Sequence, residues 1–526
     1  MAPGDSSKEV RKNVTLQALS MSAGTFSSRI LGLLRDMALA ALFSREVTDA
    51  WTAAFRLPNL FRRLLGEGSL SVSFIPVFVE ARVDSPERAQ NLANGFYTLL
   101  LLFLTVLTTA GIVFVEPLMR LMLSSNYEPE KLALTVRMAR IMFGFVFFIS
   151  VYAYFMGILN AYGKFALPAM APMLFNVAMI VSTVLPGTWF PFVGDGLAWG
   201  VLAGGALQMA ILVPALVRLK AMPRGVDFRG NADVGRILRN MLPGLLGMGL
   251  LQFTTIVNLK YASGLGDGAI SYIYWADRLL ELPLSLVAVS LGAALLPSLS
   301  GMWARGERAR MASTANYYLR LNLFIAVPAA LGLYVLALPI VEVLFMRGRF
   351  TMQDAEATAA VLRIYAVLLI FASAVRVLVP SYYAIKNTWF PAVVACVALI
   401  MHMTLAPLMM AQWGLQGLVA SSAASAALNI ILLLACYRKF VGSFDYAKLF
   451  VHLSKFVGAG ALMALVLQGH GVLANIVGNG YIAKVGILAL TIAIGTVVYA
   501  VASKLLGVEE LVALSRKTKR LDESSR

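Results

Sequence analysis

Residues 55–69 read FRLPNLFRRLLGEGS, and a little upstream residues 27–40 read SSRILGLLRDMALA. Five arginines, Arg29, Arg35, Arg56, Arg62 and Arg63, stand here against two acids, Asp36 and Glu67, yet both stretches lie inside long apolar runs. A charge at mid-bilayer costs roughly 2.5 to 3.5 kcal/mol, so five lipid-exposed arginines would cost on the order of 12 to 18 kcal/mol, comparable to the stability of a whole domain. They must line protein or water, which predicts a helical membrane protein with a wet interior. Arg56, Asn59, Arg63 and Glu67 recur at intervals of three, four and four, a polar stripe on one helix face with Arg62 at its flank. Pro58, Gly66 and Gly68, and Gly24 and Gly32 one helix earlier, allow the bent or loosened backbone that suits a cavity lining. Two readings of Arg63 stay open: local pairing with Glu67 at i+4, or exposure to the cavity.

The rest of the chain agrees with a membrane setting. Its 526 residues are 59% hydrophobic and 13% charged, with a mean hydropathy of +0.78, too apolar for a set of water-soluble domains. Apolar runs predict fourteen spanning helices near 14–44, 48–81, 92–123, 134–160, 165–186, 196–217, 236–263, 268–300, 313–338, 357–385, 389–411, 413–437, 447–469 and 481–506. The connections are too short for a separate catalytic or nucleotide-binding domain. The polar start, MAPGDSSKEVRKN, lacks a small-residue cleavage site, so the first apolar segment is expected to be retained.

The net charge of +17 has two sources. With the N-terminus inside, the cytoplasmic connections and ends hold twenty-four Lys and Arg, whereas the opposite face holds Arg45, Lys131, Arg347 and Arg349. That asymmetry puts both termini in the cytoplasm and assigns most of the charge to topology and anionic membrane lipids, which removes nucleic acid as a partner. Cys396, Cys436, His402, His452 and His470 are scattered, without disulfide or metal-ligand spacing. No G-x-x-x-x-G-K-[ST] loop and no nucleophile–base pair stands out, so a transporter with no cofactor is expected, not an enzyme.

Three faint internal matches share nearly one offset. Leu70–Pro76 resembles Leu291–Pro297 at 221 residues, Phe165–Ala169 resembles Thr388–Ala392 at 223, and Gly196-Leu197 matches Gly414-Leu415 at 218. They predict two six-helix lobes in parallel repeat, 1–235 and 236–440, then two extra helices and a basic cytoplasmic tail in 441–526. By that offset helix eight, YIYWADRLLELP, is the counterpart of the arginine-rich helix two. In it Asp277 or Glu281 neutralises Arg278, or Arg278 closes a cationic ring with the first-lobe arginines. Arg376 faces either the cavity or the interface, and the last two helices either extend a lipid-facing groove or pack outside.

Several arginines in a wet cavity suit an anion with spread oxygens, such as a diphosphate, which guanidinium binds by paired charge-assisted hydrogen bonds. A cationic drug would be repelled.

At SRILGLLRDMALAALF, TDAW, FRLPNLFRRLLGEGSLSVSFIPVF and YWADRLLELPLSLVAVSLGAALLPSLS the chain resembles the bacterial lipid II flippases of the MOP exporter superfamily, the mouse virulence factor family, over nearly its whole length. The resemblance implies a multi-pass inner-membrane protein that flips undecaprenyl-diphosphate-linked disaccharide-pentapeptide for peptidoglycan synthesis, by alternating access, with a groove from the last two helices for the polyprenyl tail. It implies Arg29, Arg35, Arg62 and Arg278 as cargo-binding cations and Asp49 and Glu67 as accompanying acids. Arg56, Asn59, Asp277 and Glu281 join them as candidate substrate contacts. Cell-wall synthesis proteins are further expected partners. Some members bind sodium through an acid on helix seven, and Asn258 in IVNLKYAS takes that place here, which weakens the sodium carry-over without deciding it; dependence on the membrane potential is the physically reasonable alternative. The rival readings are a multidrug or other lipid-linked oligosaccharide exporter of the same superfamily, and an intramembrane polyprenyl-phosphate glycosyltransferase, which would need acids on a large loop.

Overall fold

The computed structural model describes residues 24, 26–225, 227, 232–285, 290–477 and 480–511, and these are helical with short connections and no strand among them. Two compact units divide at Ser271 and Tyr272.

In the first unit, α1 (26–42) leads into α2 (Arg45–Phe61), a π-helical segment Arg62–Ser69, and α3 (Leu70–Asp84). The loosening expected at Pro58, Gly66 and Gly68 takes the form of that π segment. Such wide turns interrupt α-helices at functional sites more often than elsewhere. Next come α4 (Pro86–Val113), α5 (Val115–Met122), α6 (Pro129–Met142), α7 (Gly144–Ala161), α8 (Ala166–Val184), α9 (Asp195–Ala210), α10 (Val213–Arg218) and α11 (Ala232–Ala262). Ser85 caps α4 by accepting the Arg88 N–H, with Pro86 in the first turn, a pairing that satisfies one amide and omits another. Trp51, Phe55, Phe145 and Phe175 form one aromatic cluster, and Phe74, Phe78, Phe96 and Tyr154 another. α11 packs in this unit: Arg88 grips Asp233 with two N–H groups at 3.0 Å, and Arg236 reaches Glu80 at 2.8 Å. The boundary expected at residue 235 rests on the repeat in the sequence and not on this packing.

The second unit holds most of α12 (Ala269–Leu284), then α13 (Ser290–Ala304), α14 (Arg308–Val335), α15 (Ala337–Phe345), α16 (Met352–Ala384), α17 (Trp389–Phe440), α18 (Tyr446–Leu467), α19 (His470–Val477) and α20 (Tyr481–Leu505). α17 is two arms meeting at Gly414, whose φ of 53° and ψ of −129° only glycine adopts readily. The arms run back along each other, with Ser421 Oγ 3.0 Å from His402 Nδ1 and Ser425 donating to the Ala398 carbonyl at 2.7 Å. The split expected between residues 411 and 413 therefore lies at a reversal. Phe324, Phe456 and Tyr499 join α14, α18 and α20 in one core.

Element lengths repeat between the units. α4 and α14 are both 28 residues and start at Pro86 and Arg308, 222 apart, each followed by a break and a short helix. Pro129–Ala161 and Met352–Ala384 are both 33 residues. Left-handed residues recur at the same spacing, Gly163 with Lys386 and Lys220 with Gly442.

Among the described residues nine helical stretches are long and apolar enough to cross a membrane. On α4 the outward residues Leu99, Leu102, Phe103 and Val106, at i, i+3, i+4 and i+7, form an exposed apolar stripe. Water penalises such a stripe by about 25 cal/mol per Å², and lipid tails do not. Both units thus carry the apolar exterior of a polytopic membrane protein.

Candidate functional site

The arginines of α1 do not share one environment. Arg29 is exposed, whereas Arg35 is 6% exposed and fully engaged. Its Nε and Nη2 donate to Asp36 Oδ1 at 2.9 and 2.6 Å, and its Nη1 donates to Asn176 Oδ1 on α8 at 3.1 Å. Asn176 in turn donates from Nδ2 to the Ser28 carbonyl at 2.9 Å, and the Phe175 ring lies 5.9 Å from the guanidinium carbon. A guanidinium keeps its charge when buried, so burial is tolerated only where acceptors meet its N–H groups, as Asp36 and Asn176 do here. The sequence reading missed Asn176. Its signal was a single amide in the apolar run APMLFNVAMIV, too common to single out.

One helix on, Arg56, Asn59, Arg62 and Arg63 are half-buried along α2 and the π segment. Arg62 Nε donates to Asn59 Oδ1 at 2.8 Å, so the polar stripe and its flank are in direct contact. Glu67 falls in the π segment, and its side chain lies outside the described ones. The first unit therefore brings Arg56, Asn59, Arg62 and Arg63 onto one helical run, with Arg29 and Arg35 on its neighbour in sequence.

Asp49 sits apart from these, fully buried near the start of α2. Its Oδ2 accepts from Lys131 Nζ at 2.7 Å and from the Gly268 N–H at 2.7 Å, and its Oδ1 accepts from the Ser271 N–H at 2.8 Å and Ser271 Oγ at 2.6 Å. Lys131 also reaches Asp267 at 2.6 Å, and the Tyr127 ring lies 5.3 Å away. Lys131, expected in a connection, is instead a buried residue of α6. A long flexible ammonium between two carboxylates explains why: burial of each charge is offset by the other. The same carboxylate caps the first turn of α12, where the free N–H groups favour an anion.

In the second unit Arg278 is about one-third exposed. Its Nη1 donates to Glu281 Oε2 at 3.1 Å, and its Nη2 donates to the Tyr274 hydroxyl at 3.2 Å. Asp277 beside it is half-buried. Asn258 is a half-buried residue of α11, and Arg376 is exposed on α16. Among the described residues no group of three or more His, Cys, Asp or Glu is placed to hold a metal ion.

Sequence reading also passed over a buried ionic cluster in this unit. Arg320 on α14, 6% exposed, lies 3.1 Å from His452 Nε2 on α18, and His452 Nδ1 lies 2.9 Å from Glu510 Oε2 just past α20. At its rim Lys448, hydrogen-bonded to Glu509 at 3.2 Å, holds that carboxyl below the usual glutamate range. Near the start of α14, hydrogen bonds from Arg305 and Arg310 lower Glu307 in the same way.

The fold and its buried cations define a polytopic membrane transporter. A solved multidrug transporter of the MATE family, inward-facing, superposes with a TM-score of 0.66 at 17% identity, covering 82% of this chain and 96% of that one. Closer in sequence is a solved "Lipid II flippase MurJ, inward closed conformation", with a TM-score of 0.76 and 25% identity over 92% of this chain and 98% of that one. The family model described as lipid II flippase MurJ matches residues 38–484. A probable lipid II flippase MurJ of Bdellovibrio bacteriovorus is 54% identical over 97% of this chain and 98% of its own length. The lipid II flippase MurJ of Burkholderia cenocepacia is 33% identical over 87% and 89%. The chain belongs to the MurJ family of lipid II flippases, which are transporters and not enzymes.

Proposed function

We propose that this chain moves lipid II, an undecaprenyl-diphosphate-linked disaccharide-pentapeptide, from the cytoplasmic to the periplasmic leaflet of a bacterial inner membrane. Membership of the flippase family supports the cargo, and the run of half-buried arginines on α2 and the π segment is the observation that carries the chemistry. Diphosphate oxygens accept the planar N–H pairs that guanidinium offers. The same charge repels a cationic drug, so the MATE-like architecture is read as shared fold and not shared cargo.

In this reading Arg29, Arg35, Arg62 and Arg278 grip the head group, with Glu67, Arg56, Asn59, Asp277 and Glu281 as neighbouring polar groups and Asp49 as the buried acid that anchors the start of α2. Lobes 1–235 and 236–440 rock in alternating access across fourteen helices, both termini are cytoplasmic, and the helices of 441–526 guide the lipid tail. Membrane lipids surround the chain, and cell-wall synthesis proteins consume its product. Asn258 offers a neutral amide where some members of the family carry a sodium-binding acid, and this reading couples transport to the membrane potential. One charge moved across 100 mV is worth about 2.3 kcal/mol, enough for a potential negative inside to draw an empty cationic carrier back toward the cytoplasm.

The test is complementation of a flippase-depleted strain. Arg35→Ala and Arg278→Ala are expected to insert at normal levels and fail to support growth. Growth at the wild-type rate with both variants would remove the assigned arginine roles.

A further inference from the structure

Tyr274 stands one helical turn before Arg278 on α12, and the functional reading above gives it no part. Tyr274, Arg278 and Glu281 fall at i, i+4 and i+7 and so share one face of the helix. The Tyr274 hydroxyl accepts a hydrogen bond from Arg278 Nη2 at 3.2 Å, and the ring centroid lies 4.9 Å from the guanidinium carbon. The phenol thus supplies an acceptor for one edge of the guanidinium and the negative face of a ring beside its carbon.

The ring is itself held in place. Trp275 meets it edge-on, centroids 4.8 Å apart at 72°, and Trp275 packs on Phe345 at 5.4 Å, which packs on Phe350 at 5.9 Å. Tyr274, Trp275 and Phe345 are all buried. The neighbouring Tyr272 hydroxyl donates to Asp354 Oδ1 at 2.8 Å, and Asp354 is fixed by its capping box with Thr351 at the start of α16. A side chain with two torsions, buried against an aromatic chain, has little freedom to lose. An arginine with four has much, and a bidentate anion site works only when its plane is set in advance.

We propose that Tyr274 is a positioning residue that sets the plane and direction of the Arg278 guanidinium toward an anionic lipid head group. Glu281 is the partner that a phosphate exchanges with, because both are oxygen acceptors for the same N–H edge, while Tyr274 stays in contact as Arg278 changes from carboxylate to phosphate. The proposal rests on the cargo-binding role given to Arg278.

The experiment measures initial flipping rates of fluorescent lipid II against its mole fraction in liposomes, for the wild type, Arg278→Ala, Tyr274→Phe and Tyr274→Leu, with thermal unfolding of each. Arg278→Ala is expected to lose most transport. Tyr274→Phe is expected to raise the apparent KM about threefold with maximal rate and Tm close to wild type, and Tyr274→Leu about tenfold with a lowered Tm, while adding Tyr274→Leu to Arg278→Ala should change transport no further. If Tyr274→Leu unfolds, the KM of Tyr274→Phe decides alone. An unchanged KM in a folded Tyr274 variant, with Arg278→Ala impaired, overturns the positioning role. Unimpaired Arg278→Ala instead overturns the reading on which it rests.

Discussion

Helices α2 and α3 with their π segment, and helices α12 and α13, lie about 220 residues apart in the chain and carry different charges. Each pair contains a proline in its second helix, Pro76 in one and Pro297 in the other. The first run presents Arg56, Arg62 and Arg63 in half-buried positions, while the second presents a single Arg278 flanked by Asp277 and Glu281. In the proposed function the shared backbone plan serves lobe geometry and the unshared charge serves cargo. The excess that would attract a diphosphate resides in the first unit, and the second supplies one braced cation.

The N-terminal ends of the two helices differ as well, and that difference can be broken by mutation. On α2, Asp49 is buried with Lys131 and caps the backbone at Gly268 and Ser271. Asp49→Ala leaves the Gly268 and Ser271 backbone donors without their acceptor and the buried Lys131 ammonium with Asp267 alone, which should cost about 3 kcal/mol. Unfolding in detergent should show this as the largest loss among the variants considered, with Asp49→Leu/Lys131→Met recovering part of it. Wild-type stability in Asp49→Ala would mean that the anchor is not closed in the folded protein.

On α12 the corresponding tie is the neutral hydroxyl of Tyr272 on Asp354. Tyr272→Phe removes one hydrogen bond to a carboxylate and keeps the ring, so about 1.5 to 2 kcal/mol is expected, below the Asp49 effect. Equal losses from both would erase the contrast between an ionic anchor and a neutral one.

The smallest effect concerns the rim of the Arg320–His452–Glu510 cluster. Glu509 is lowered by the Lys448 hydrogen bond, so its contribution is present above the ordinary glutamate range and disappears as pH falls through the lowered value. Being mostly exposed, the pair is weak. Wild type should lose slightly more thermal stability than Glu509→Gln between pH 7 and pH 4, and identical slopes would show the pair to be idle.

Much of this was readable in advance because membrane insertion is a blunt filter. Apolar runs marked where helices would lie, and the proline and glycines around FRRLLGEG marked the irregular segment Arg62–Ser69. The reversal at Gly414 was visible as a break between two runs, and faint matches near 220 residues foreshadowed the equal lengths of α4 and α14. What stayed hidden were partners across the fold. Lys131 follows a polar turn and reads as a loop cation, because nothing local reveals that Asp49, 82 residues earlier, will bury with it. Asn176 and Tyr274 are neutral residues in apolar helices, and only the guanidinium each one touches gives it meaning.

Transport of labelled lipid II by the purified chain in liposomes, beside a cationic drug as competing cargo, tests the central claim most directly. Lipid II should cross in a protein-dependent manner that Arg62→Ala strongly reduces, with no transport of the drug. Movement of the drug without lipid II, or flipping indifferent to the arginines of α2 and its π segment, would contradict it.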